Sequence, residues 1–327
     1  MKKIIWIPLF CLLFLTACSM KSPYEQDIFA MDTFINLKVW DNEEAMSAVA
    51  AQINAYDASL SVTRDDSEVF KLNQDGRAEL SEKTAQLLRQ AIYFSEKTEG
   101  AFDPTVYPLV KAWGFSSGQN SVPDEAALTP LLNYVGTENI SLSGRSVTLS
   151  EGTQLDFGAI AKGYAAERCK ELLEEKGVET AILSLGGNVQ TIGSKPDGTE
   201  WVIGIADPQE PSSAIAQLRF TGSLALVTSG SYQRYFEEDG IRYHHILDPA
   251  TGRPVENGLA SVTVIADSGT MADAYSTALF VMGMEQAVQF WRQEQNFEAI
   301  FILEDSRIFA TQGAAAILRG CEFTEIK

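Results

Sequence analysis

Tyr243-His244-His245-Ile246-Leu247-Asp248-Pro249, then Thr251-Gly252-Arg253-Pro254, then Leu259-Ala260-Ser261-Val262-Thr263-Val264-Ile265-Ala266 succeed one another along the chain, and a helical stretch opens at Thr270-Met271-Ala272-Asp273. The first piece ends a strand predicted over Ile241–Leu247. The second is a glycine- and proline-bearing turn, the third an apolar run of strand length, and the fourth opens a helix predicted over Thr270–Arg292. Strand, turn, strand and only then helix is a hairpin succession, not the strand–helix alternation of a doubly wound parallel sheet. Working outward, strands are expected at Thr180–Leu185, Trp201–Ile205, Ala214–Thr221 and Ala225–Val227, with a closing hairpin of Ala299–Leu303 and Ser306–Thr311. The fold class that follows is α/β in the α+β sense: mixed or antiparallel sheets packed with helices, in one integrated domain over 27–327.

The first half is richer in helix. Phe29–Trp40 reads loosely as one strand with Phe29, Met31, Leu37 and Val39 on one face. Helical period marks Glu43–Leu60 and Ser81–Thr98, the latter capped by Ser81. Gly100-Ala101-Phe102-Asp103-Pro104-Thr105 punctuates before a short helix at Tyr107–Trp113. A surface helix and turn are expected at Pro123–Val135 and a hairpin at Ile140–Leu149. A helix over Ala159–Lys176 stops at Gly177, which supplies the left-handed position after the last turn.

Charge and the N-terminus restrict the function. The 327 residues carry a formal net charge of −19, which argues against nucleic acid and against anionic lipid bound through basic patches. Any phosphate site must therefore be built locally, from a metal, a helix N-terminus and one or two lysines. Lys2 and Lys3, an apolar Ile4–Leu15 and Leu15-Thr16-Ala17-Cys18 have the order of a secretory leader. The apolar run is short for a membrane span. Small residues before a cysteine resemble a bacterial lipobox, which implies a leader over 1–17, lipidation of Cys18 (thiol and amino group, palmitate included) and a tether over 18–26. The expected location is outside the cytoplasm, anchored to the periplasmic face of the cell membrane or to the cell surface. Cys169 and Cys321 remain; a pair between them is open, and no metal-ligand cysteine spacing occurs.

Three places carry residues suited to chemistry. Asp273 and Thr277 are one helical turn apart on one face, either a hard-cation pair suited to Mg²⁺ or a dipole-favoured acid beside a packed threonine. Asp156-Phe157-Gly158-Ala159-Ile160-Ala161-Lys162-Gly163 lets backbone approach a ligand and offers a helix N-terminus to phosphate. It lacks the Gly-Lys-Ser/Thr of a P-loop. In an extended segment His245 and Leu247 share one face while His244 and Ile246 point to the other, so only one histidine can look into a given cleft, where it is either a base or a structural residue. Thr228-Ser229-Gly230 adds hydroxyls and amides at a strand end.

Met31-Asp32-Thr33, Gly100 to Thr105, Asp156 to Gly163, Leu185-Gly186-Gly187-Asn188, Thr228-Ser229-Gly230, His245 to Pro249 with Thr251-Gly252, and Asp273 through Thr277, in that order, resemble the FAD:protein FMN transferases, the ApbE-type flavin transferases. The resemblance covers nearly all of the chain after the leader. It implies an ApbE-like, T-fold-related domain. It implies that Mg²⁺ is held by Asp273, Thr277 and the main-chain carbonyl of Ala159. FAD, as substrate, would be held by Met31, Ala101, Phe102, Asp103, Asp156, Lys162 and Leu247, with His245 as the catalytic base. One departure is Thr63, where the family commonly carries an aromatic residue. The reaction implied moves FMN from FAD to a serine or threonine hydroxyl of a target, the flavin-carrying subunit of a membrane redox complex, and releases AMP. Two alternatives stand beside it: an FAD pyrophosphatase yielding FMN and AMP with the same residues, and a non-catalytic surface FAD-binding lipoprotein, for which His245 would be dispensable.

Overall fold

The computed structural model describes residues 22–40 and 42–327. The expected leader and Cys18 lie outside the described residues. Nine strands form one sheet whose spatial order follows the chain: Tyr24–Ala30, Thr33–Val39, Ala181–Leu185, Asn188–Ile192, Ala225–Gly230, Leu259–Ala266, Glu298–Leu303, Ile308–Thr311 and Thr324–Ile326. Every neighbouring pair is antiparallel except the last, Ile308–Thr311 with Thr324–Ile326. The expected helix-packed, antiparallel-to-mixed architecture is thus what the chain adopts.

The central strand shows why the pattern reads as it does. Leu259–Ala266 is buried at all eight positions, so it carries no charged residue and its polar members are only the small hydroxyls of Ser261 and Thr263. Val262, Val264 and Ala266 face the main core with Tyr275 and Leu279 of the late helix. Ile265 faces a second core with Ile300, Ile302, Trp201 and Leu218. That second core lies under a small three-stranded sheet of Trp201–Ala206, Ala214–Phe220 and Leu318–Arg319. Helices on one face and a small sheet on the other leave the central strand no wet side.

Two helices set the position of the site. Ala161–Glu175 and Gly269–Glu294 cross at Gly163 and Gly269, where a Cβ on Gly269 would stand 2.7 Å from the Gly163 carbonyl oxygen and one on Gly163 would stand 2.5 Å from the Asp273 Cβ. Hydrogen at both positions is what permits the contact. Glu167 on the first helix caps the second: its Oε2 accepts from Ser268 Oγ at 2.6 Å and from the Thr270 amide at 2.9 Å. A carboxylate there also complements the dipole.

Several expectations change. The segment read as one strand over Phe29–Trp40 is a hairpin, turning at Met31 and Asp32 with φ of 54° and 57°. Such a turn needs left-handed backbone at both central positions. Neither Asn-Gly nor Asp-Gly marks it, so Phe29 and Leu37, placed on one face by counting, lie on opposite faces. Tyr24, Glu25 and Gln26, expected to precede the domain, belong to its edge strand. The strand expected over Ile241–Leu247 ends at His244, and Leu247 makes an isolated bridge to Pro254. The helix expected over Thr270–Arg292 is kinked at Gly283, with φ 74° and ψ 165°. There Asn257 Nδ2 donates to the Phe280 carbonyl at 2.7 Å, supplying a partner where the helical ladder breaks.

Candidate active site

The tip of the first hairpin, the ends of the central strands and the starts of the two crossing helices enclose a cavity of about 420 Å³. That is the size class of small-molecule sites. Met31, Ala101, Phe102, Asp103, Asp156, Ala159, Lys162, His245, Leu247, Asp273 and Thr277 all lie on its wall. These residues come from five separate stretches of chain, and the sheet brings them together.

At the helix crossing, Asp273 is 3% exposed, and its Oδ2 accepts the Gly163 amide at 2.7 Å. Gly163 is in the first turn of its helix, where amides have no intrahelical partner. The carboxylate fills that vacancy, so the Gly163 amide does not bond the Ala159 carbonyl. Ser229 Oγ lies 2.8 Å from Ser276 Oγ and 3.2 Å from Thr277 Oγ1, tying the Thr228–Gly230 strand end to the late helix. Asp273, Thr277 and Ala159 therefore offer one carboxylate, one hydroxyl and one carbonyl, a hard-oxygen set of the kind Mg²⁺ takes when phosphate and water complete its shell. Among the described residues no cluster of three or more His, Cys, Asp or Glu side chains forms a metal site. A cation here would depend on ligand oxygens.

The two histidines divide as the alternation of faces predicts. His244 is buried against the edge of Phe280, with Nε2 2.9 Å from the Val255 carbonyl and Nδ1 without a partner. His245 lines the cavity. Its Nδ1 is 3.1 Å from the Arg234 carbonyl, and a carbonyl accepts only, so Nδ1 carries the proton and Nε2 presents its lone pair. Burial pushes the His245 pKa down to about 4, leaving the ring neutral near pH 7. Asp248 orders the turn and not the histidine, accepting from the Ala250 amide at 2.9 Å and Thr251 Oγ1 at 3.1 Å.

The remaining acids are held locally. Asp156 Oδ1 accepts from the Gly158 amide at 2.7 Å, which bends the chain into the helix start. Asp103 accepts from the Thr105 amide at 2.7 Å and from the Thr105 hydroxyl. Burial raises the pKa of both carboxyls. Lys162 Nζ donates to the Gly158 carbonyl at 3.2 Å and so lies back over the glycine turn. The wall carries five carboxylates (Asp32, Asp57, Asp103, Asp156, Asp273) against two cations, Lys162 and Arg234. A pyrophosphate would enter that field far more readily with a divalent cation than alone.

Sequence reading missed four contributors. Asp57 accepts the Met31 amide at 2.7 Å and pins the hairpin tip. Arg234 supplies the second cation and the carbonyl that orients His245. Gly163 is only a permissive position in the sequence, and the crossing helix shows what it admits. Asn188 is 3% exposed on the wall, and its Nδ2 has no partner; a buried donor left unmade costs about 1–3 kcal/mol and fits a ligand oxygen. Its Leu185-Gly186-Gly187-Asn188 setting was the available signal. Thr63 is on the wall as well. Cys169 and Cys321 are both free thiols, so the possible pair is not formed.

The sequence profile of the ApbE family matches residues 31–301. A Klebsiella pneumoniae protein called FAD:protein FMN transferase is 37% identical over 87% of this chain and 90% of its own length. A Treponema pallidum protein of the same name is 36% identical over 82% and 80%. Among solved structures, the ApbE protein of Thermotoga maritima superposes with a TM-score of 0.85 at 34% identity, covering 91% of this chain and all of that one. The flavin transferase ApbE of Vibrio cholerae gives 0.78 at 28% identity, over 90% and 99%. With its fold, its gathered cavity residues and a profile spanning most of its length in agreement, this chain belongs to the ApbE family.

Proposed function

We propose that this chain transfers the FMN portion of FAD to a serine or threonine hydroxyl of a target flavoprotein. The observation that carries the reading is His245, neutral with Nε2 free, on the same cavity wall as Asp273, Thr277 and the Lys162 helix start. The acceptor hydroxyl oxygen attacks the FMN phosphorus and forms a new P–O ester bond. The bond from that phosphorus to the bridging oxygen breaks, and AMP leaves with that oxygen. The hydroxyl proton passes to His245 Nε2. An anionic ligand beside the ring raises its pKa from about 4 towards the working range. Lys162 and the amides of the Ala161–Glu175 N-terminus take up phosphate charge. Mg²⁺, held by Asp273, Thr277 and the Ala159 carbonyl, would neutralise pyrophosphate charge and make the phosphorus more electrophilic.

The leader and Cys18 support an exported lipoprotein on the periplasmic face of the cell membrane or the cell surface, acting on the flavin-carrying subunit of a membrane redox complex. Replacing Cys18 with alanine should move the protein from the membrane fraction to the soluble one; retention in the membrane would end the lipid-anchor reading. The test of the reaction combines the protein, FAD, Mg²⁺ and a flavin-accepting domain, followed by intact-mass measurement. A mass gain of one FMN, lost when the acceptor threonine is replaced, supports transfer. AMP without a mass gain supports the FAD pyrophosphatase, and bound FAD with neither product supports a binding lipoprotein.

A further inference from the structure

The first hairpin carries two large aromatic side chains that the fold leaves in solvent. Phe29 is 64% exposed and Phe34 81%. They are cross-strand partners, edge to face, with ring centroids 5.3 Å apart. Exposed phenylalanine normally belongs to a contact surface, since burying it is strongly favourable. The residues between them form the hairpin tip, and three of these, Met31, Asp32 and Thr33, are on the cavity wall. Asp57 holds that tip through the Met31 amide. The aromatic pair is therefore fixed in position relative to the cavity.

The rest of this hairpin face is polar and internally satisfied. Asn36 Nδ2 donates to Glu25 at 2.9 Å and to Asp27 at 2.7 Å, and Lys38 pairs with Glu25 at 2.9 Å. The apolar surface is confined to the cavity end. Tyr24–Ala30 is also the outermost strand of the nine-stranded sheet, and among the described residues no strand pairs with its far edge, which could take an added extended segment. An anionic bilayer is a poor match for a face bearing Glu25 and Asp27 on a chain of net charge −19.

We propose that Phe29 and Phe34 are the docking point for the acceptor protein, gripping an apolar side chain on an extended segment close to its accepting hydroxyl. The proposal rests on the transferase reading, because transfer alone requires a macromolecule to reach this cavity from outside. At about 3.3 Å per extended residue, an anchor two to four residues from the hydroxyl spans the distance from the pair to the hairpin tip.

The experiment uses the full-length chain in detergent, as wild type and as the Phe29→Ala/Phe34→Ala double variant, with Phe34→Leu as a conservative control. FMN transfer is followed by intact mass across acceptor-domain concentrations, alongside FAD binding by flavin fluorescence and melting temperature. The expected result is a KM for the acceptor raised about tenfold or more, with kcat, FAD affinity and melting unchanged and Phe34→Leu intermediate. Transfer with an unchanged acceptor KM overturns the docking assignment alone. If the double variant instead loses binding to phosphatidylglycerol-containing vesicles at an unchanged KM, the pair is a membrane contact. If it loses a dimer seen by sedimentation at an unchanged KM, the pair joins two copies. Failure of the wild type to transfer at all overturns the functional reading and this proposal together.

Discussion

Replacing Gly163 with alanine sets helix propensity against helix packing. Gly163 is the third residue of a helix, where alanine is favoured by up to about 1 kcal/mol in isolation. In place, the new Cβ would stand 2.5 Å from the Asp273 Cβ and would collide with the Gly269 carbonyl. Ordinary contact starts near 3.4 Å, so the helices must separate by about 1 Å, an overpacking strain of about 1–3 kcal/mol. Separation also stretches the 2.7 Å bond from the Gly163 amide to Asp273, a charge-assisted bond of about 1.5–3 kcal/mol. Net destabilisation of about 2–4 kcal/mol follows, a fall in Tm of roughly 3–6 °C for a domain of this size. Because Asp273 moves with the helix, the Mg²⁺ concentration for half-maximal turnover should rise, and a 1 Å displacement at a reacting site costs about 100-fold in rate. Calorimetry and a Mg²⁺ titration of FMN transfer would measure both. A Tm equal to or above wild type with unchanged Mg²⁺ dependence would refute the crossing geometry and the metal assignment at once.

His245→Gln should retain FAD binding and lose about 10²–10⁴-fold in kcat, read by single-turnover transfer; a wild-type rate removes the base. Because burial lowers the His245 pKa from 6.5 to about 4, the folded chain binds fewer protons than the unfolded one between those values. The stability held above pH 6.5 is therefore lost as pH falls towards 4, and FAD-free thermal melts should drop across that window, less so in the glutamine variant. Asp273→Asn keeps the shape and removes the carboxylate charge, so turnover at saturating FAD should no longer respond to Mg²⁺; an unchanged response would discard the site. Trp113→Phe removes the Nε1 bond to the Gly252 carbonyl at 2.7 Å and leaves a buried acceptor unmade, lowering stability by about 1–3 kcal/mol by chemical denaturation; no change would mean that water replaces the indole.

By itself the sequence determined the class of sheet, most of the helices and many of the residues that gather on the cavity wall. Those signals are local: Ser81 caps the helix that follows it, Gly177 ends another with φ of 75°, and Leu259–Ala266 is an uncharged, mostly apolar run of strand length. The separation of His244 from His245 also needed only the alternation of side chains. What the tertiary structure alone decided depends on neighbours distant in the chain. The turn at Met31 and Asp32 is held in left-handed backbone by Asp57 and not by its own residues. The lone pair of His245 is aimed by the Arg234 carbonyl, eleven residues away. Gly163 and Asp273 meet across 110 residues because two helices cross there at backbone distance. Period and propensity act over one or two turns of chain, while the position of a carboxylate in a cavity is set by whichever element packs against it.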